Sequence, residues 1–145
     1  VDPTDSAGAR LGTQDMLVTT NQLAQDAIGF FFCCYCAGHS SSDSSPVTEA
    51  LARRRIEAYG STMLRMGGGA YFASVNSESI LREVFRHPDK TIGDIYRSVQ
   101  GHPEHVYPHV LWPEESVWFD GNEQWGWSEA FVGDPTLTAR KVLGR

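Results

Sequence analysis

Cysteine is scarce in this sequence: three residues in 145, all between positions 33 and 36. An odd number of thiols packed into four positions cannot build a disulfide framework, because neighbouring cysteines do not readily pair. A chain of this length can bury roughly two-thirds of its unfolded surface and needs no such staples. Long apolar runs are also missing. Nothing approaches the ~18 residues of a membrane span, and no signal peptide is visible. Positive charge is in deficit, with 12 basic against 18 acidic residues and a net charge of -6. No basic stripe dominates, so nucleic acid and anionic membrane are poor partners on electrostatic grounds. The one basic cluster, Arg53-Arg54-Arg55, lies in a helical pattern and reads as a solvated face. There is no internal repeat, and the serine tract at 40–45 is the only low-complexity segment. Compartment stays open, although unpaired thiols lean toward a reducing one.

What is present is an ordinary globular composition, 41% hydrophobic, consistent with one domain. Residues 1–13 are rich in Pro, Gly and Asp and read as an irregular arm, leaving 14–145 as a single α/β domain. The chain begins at Val1, which fits a processed product or an excised piece. "AIGFFFCCYC" (27–36) is continuous and apolar, as expected of a fully buried strand. "PVTEALARRRIEAYGSTMLRMG" (46–67) predicts the longest helix, with Ser44 or Ser45 as cap, Gly60 as an interruption and Gly67-Gly68-Gly69 as terminator. "AYFASV" (70–75) predicts a second buried strand. Two amphipathic helices follow: 77–87 with Ile80, Leu81, Val84 and Phe85 inside, and 91–102 capped by Thr91 with Ile92, Ile95, Tyr96 and Val99 inside. This alternation points to an α/β layer of parallel strands flanked by helices. Residues 103–127 hold three prolines and all four tryptophans; they read as a long loop or hairpin laid over the domain by its aromatics.

The thiols sit where the buried run ends in Ala-Gly-His. Packing explains Cys33, since cysteine is a small, readily buried hydrophobe. A metal site is disfavoured: Cys34, Cys36 and His39 form C-x-C-x-x-H, with no second ligand pair of zinc-like spacing. Pro103 and Pro108 keep His102, His105 and His109 off a common helix face. A nucleophile is the third reading. A thiol at the C-terminal tip of a parallel strand lies where α/β sheets open toward ligands. Ala37 and Gly38 leave room for a substrate carbonyl, and their N–H groups suit an oxyanion. The thiol then needs a histidine to take its proton.

The order of "FFFCCYCAG", "EALARRRIEAYGSTMLRMGGGAYFASVNS", "TIGDIYRSV" and "FVGDPTLTAR" resembles the C-terminal half of caspase-like cysteine peptidases, most closely the gingipain type. The likeness covers roughly residues 20–100 and 130–140. It implies a partial or reduced caspase-like layer and a cysteine peptidase, or its cysteine-bearing fragment, acting on a peptide or protein substrate. It implies no cofactor. Cys36 is the first candidate nucleophile, fitting C-x-G through Gly38, and Cys34 the second. Gly38 would form the oxyanion hole, and Ser74, Asn76 and Glu78 fall near the implied specificity pocket. The family's histidine precedes the cysteine strand, but no histidine precedes Cys33 here. The catalytic half is therefore absent, lost, or supplied by another chain. The alternative is a non-catalytic assembly or binding subunit of the same fold, with 107–127 as its contact surface.

Overall fold

The computed structural model describes residues 26–31, 36–39, 43–74, 77–122 and 126–142. Five strands form one mixed sheet in the order β1-β2-β5-β4-β3. They are β1 (Ala27–Phe31), β2 (Gly68–Ser74), β3 (His105–Pro108), β4 (Ser116–Asn122) and β5 (Gly126–Gly133). The helices are α1 (Glu49–Arg65), α2 (Ser77–Arg86), α3 (Ile92–Gln100) and α4 (Ala139–Val142). None is long and apolar enough to cross a membrane.

The α/β class holds, but the expected layer of parallel strands does not. Only β1 and β2 run parallel, joined through α1; β2–β5, β5–β4 and β4–β3 are all antiparallel. The difference arises in 103–127, read from sequence as a long loop or hairpin laid over the domain. Its residues instead build β3, β4 and the start of β5. Residues 109–115 are a short connection, and short connections produce antiparallel neighbours. Pro108 sits where a strand tolerates it. His109 donates its backbone N–H to the Glu115 carbonyl at 2.9 Å. By antiparallel alternation His105 and Tyr107 also bond inward to β4, and Val106 and Pro108 face outward. Pro108 thus needs no donor, and its carbonyl accepts from Arg53 Nη2 at 3.1 Å. Together they blunt the outer edge of β3 against pairing with another chain.

Alternation along the strands splits the core between two faces. Under α1 lie Tyr71, Ala73, Val117, Phe119, Ala130 and Val132, packed on Ala52, Ile56 and Met63. The opposite face carries Ala70, Phe72, Trp118 and Phe131 under Ile80, Val84, Ile92, Ile95 and Tyr96. Ile80 and Val84 are inside as expected, but Leu81 and Phe85 are 38% and 64% exposed. They fall on the next stripe of α2, one residue round toward solvent.

The cap of α1 is Thr48, whose Oγ1 accepts from the Leu51 N–H at 3.3 Å; neither Ser44 nor Ser45 plays that part. Val47 and Ala52, flanking the cap at N′ and N4, join the same apolar cluster and fix the entry of the chain. Gly60 does not divide the helix. A Cβ there would lie 2.5 Å from Val132 Cγ1, so the residue lets α1 press onto β5.

The "GDPTL" segment closes the domain from the other side. Asp134 Oδ1 accepts from the Thr136 N–H at 2.8 Å and its hydroxyl at 2.6 Å. Leu137 is buried, and its carbonyl accepts from the Ile92 N–H at 2.7 Å. Thr91 is the cap of α3, accepting from Asp94 N–H at 3.1 Å, and it also bridges Thr138. Thr91→Ala is expected to lower unfolding stability by about 1 kcal/mol, the usual worth of an N-cap, in a urea titration.

Candidate functional site

Cys36, five positions past the end of β1, lies beneath α1. Cys36 is 2% exposed and lies in the cluster with Ala52, Ile56, Tyr71 and Ala73. Its carbonyl accepts from the Tyr71 hydroxyl at 2.9 Å. Its Sγ lies 4.0 Å from the Phe31 carbonyl oxygen, within reach of a weak thiol hydrogen bond. Gly38 is also buried, with φ +98°, and a Cβ there would meet the Ala52 Cβ at 2.9 Å. The Gly38 carbonyl accepts from Arg55 Nη1 at 3.3 Å. The same guanidinium grips Asp43 with both terminal nitrogens, at 3.0 and 2.9 Å.

This corrects the reading of the arginine triplet as a solvated face. Successive helical residues point about 100° apart. Arg54 is exposed and Arg53 partly covered, whereas Arg55 is 3% exposed and clamps the strand-tip loop to α1.

The remaining candidates are scattered. Cys33, Cys34 and Asn76 lie outside the described residues. Ser74 is the last residue of β2, in register with Glu129. Glu78 stands on the solvent side of α2, 84% exposed and paired with Arg82 at 2.7 Å. His39 follows Gly38 and is half-buried. His87 contacts Glu83 at the end of α2, at 3.3 Å, and His102 is exposed. His105 stacks on Phe119, with ring centroids 4.9 Å apart, and its Nδ1 lies 3.5 Å from Glu49. His105 belongs to β3 and His109 follows it. That margin is four strand spacings, roughly 19 Å, from β1.

His109 is buried, 1% exposed. Its Nδ1 accepts two backbone N–H groups, from Leu111 at 3.0 Å and Trp112 at 3.3 Å. Nδ1 therefore carries no proton, and Nε2 must. Nε2 lies 3.1 Å from Ser61 Oγ. The hydroxyl accepts from the ring, which is the reverse of what a general base requires. The serine–histidine pair ties the 109–115 turn to α1. Burial, above all, holds the imidazole below its ordinary 6.5.

A second polar cluster lies on the face opposite α1. Asp120 and Glu129 are directly opposed across β4 and β5. Tyr96 donates to Asp120 Oδ2 at 2.5 Å, and the Glu104 N–H donates to Oδ1 at 2.6 Å. Burial first, then the Asp120 hydrogen bond and the charges of Asp120 and Glu129, push the Tyr96 phenol far above its usual range. It stays a protonated donor. Among the described residues, no group of three or more His, Cys, Asp or Glu is arranged to hold a metal ion.

No family model, curated protein or solved structure matches this chain. The likeness to caspase-like peptidases therefore rests on the residues that suggested it. Sequence reading missed both the Arg55–Asp43 clamp and the Ser61–His109 contact. The latter spans 48 positions and has no local signal.

Proposed function

We propose that this chain is a non-catalytic binding or assembly subunit built on a mixed α/β sheet. The observation that carries this reading is the burial of Cys36. A thiol 2% exposed and roofed by α1 packs as a small hydrophobe. The histidines support it: β3 and its turn lie at the far margin of the sheet, and His109 has its Nε2 proton committed to holding the turn. A contact surface is available beside the edge of β3, where Val106, Val110 and Leu111 are 57%, 66% and 53% exposed.

The competing proposal is a cysteine peptidase, or its fragment, using Cys36 or Cys34. It is favoured by the position of the thiols, just beyond the C-terminal end of β1 in the parallel β1–β2 pair.

Brief treatment of the native protein with iodoacetamide at neutral pH, followed by peptide mapping, separates the two. On the binding-subunit reading Cys36 is modified only once urea unfolds the chain. Selective labelling of Cys36 or Cys34 in the folded protein, faster than a free thiol at the same pH, would establish an activated nucleophile and reverse the assignment.

A further inference from the structure

The turn 109–115 is folded around one imidazole. Two N–H groups point at Nδ1, and the Nε2 proton is directed at Ser61 on α1. The turn adds its own bonds: His109 N–H to Glu115 carbonyl and Glu115 N–H to Trp112 carbonyl, both 2.9 Å. Trp112 covers the ring, with centroids 5.1 Å apart, and Arg65 of α1 lies over Trp112 at 6.0 Å. A proton added to Nδ1 would face two donors already aimed at the same lone pair. No rotation of the ring relieves this. A flipped imidazolium still presents a donor to each position, and one of them is met by Leu111 and Trp112.

We propose that the 109–115 turn is an acid-released latch, opened when His109 takes up a proton at Nδ1 and loses its bonds to Leu111 and Trp112. Opening uncovers the surface of α1 around Ser61 and extends the apolar margin already formed by Val110 and Leu111.

The charged groups facing the ring come from both packed elements. From α1, Glu57 favours the charged imidazole and Arg53 opposes it. These two neutralise each other, with Arg53 Nε 3.0 Å from Glu57 Oε1. From the turn itself, Glu114 favours the charged form. Arg65 contributes positive charge beyond Trp112. Burial outweighs the carboxylates and disfavours the charged imidazole in the closed form.

The direction of the pH effect follows. Above about 6.5 both open and closed forms hold a neutral ring, and the latch is at full strength. Below that, the open form binds a proton that the closed form resists. Closure then weakens as pH falls, by up to tenfold in its equilibrium constant per pH unit for one proton. This inference does not depend on which functional reading is right.

The test is amide hydrogen exchange on the full chain by NMR between pH 7.5 and 5.0, corrected for the intrinsic pH dependence of exchange. Protection at Leu111 and Trp112 should fall up to about tenfold per pH unit below 6.5, while Phe72 and Phe131 in the core remain far better protected. His109→Asn keeps an acceptor near the Nδ1 position and removes the titration, so its protection should not vary with pH. Flat protection in the native chain, or an equal fall in the Asn variant, would overturn the proposal. Should that variant not fold, the ring nitrogen shifts of the native protein decide. At pH 7.5 they must report a proton on Nε2 and a bare Nδ1; the opposite tautomer sinks the idea.

Discussion

Arg55→Ala is expected to cost about 3–5 kcal/mol of folding stability, the range for removing one partner of a buried ion pair. The side chains of Arg55 and Asp43 are only 4% and 14% exposed, so solvent cannot replace what is lost. The substitution takes two guanidinium hydrogen bonds from the Asp43 carboxylate and a donor from the Gly38 carbonyl. A surface pair would behave differently. Arg82–Glu78, 54% and 84% exposed, should contribute well under 1 kcal/mol. Urea titrations of Arg55→Ala, Asp43→Ala and the double variant form a cycle. We expect the double variant to be more stable than the sum of the singles by about 2–3 kcal/mol, as for residues in one network. A loss below about 1 kcal/mol for Arg55→Ala would mean that the loop relaxes into water and that the clamp is incidental. The same variant bears on the thiol. Because Arg55 holds the loop that carries Cys36, its loss should speed alkylation of Cys36 in the folded state.

The clamp also illustrates what the sequence conceals. Helices α2 and α3 were legible because their apolar residues repeat at helical spacing and a capping threonine stands before α3. Helix α1 was legible in extent, but its triplet of arginines was not. Charge runs usually face water, and nothing local marks Arg55 as the one whose turn of the helix aims it at Gly38. Strands β3 to β5 were obscured for another reason. Val117 and Phe119 alternate with Trp118 and Asp120 as a two-faced strand should, yet the prolines and tryptophans on either side read as a long loop or hairpin. The rule that forbids proline within a sheet does not apply to the outward side of an edge strand, and sequence cannot say which side Pro108 takes. The burial of Cys36 beneath α1 was not readable, since it depends on contacts with Ala52 and Ile56 in the middle of the helix.

The glycine of "GDPTL" has a physical necessity that its sequence context does not reveal, and Gly133→Ala should be among the most damaging single substitutions. Gly133 ends β5, paired with Ala70 of β2 on one side and Ser116 of β4 on the other. Its φ is +141°, and an added Cβ would lie 2.3 Å from the Gly69 carbonyl oxygen and 2.8 Å from the Ala70 Cα. Both are backbone atoms of a strand held between two neighbours, so neither can swing aside. Backbone strain of roughly 1–3 kcal/mol and overpacking of a similar size combine to about 4 kcal/mol. Gly101→Ala supplies the control. That residue ends α3 at φ +90°, with nothing within 4 Å of the added methyl. With ψ at -167° the residue lies in a backbone region that essentially glycine alone occupies, so the substitution should cost only that strain, about 1–3 kcal/mol. The difference between the two urea midpoints, scaled by a common slope, isolates the close approach of β5 to β2. Equal losses would show that the sheet can spread at this corner. A gap of about 2–3 kcal/mol would show that backbone contact with β2 fixes the end of β5, where the turn that bonds Leu137 to α3 begins.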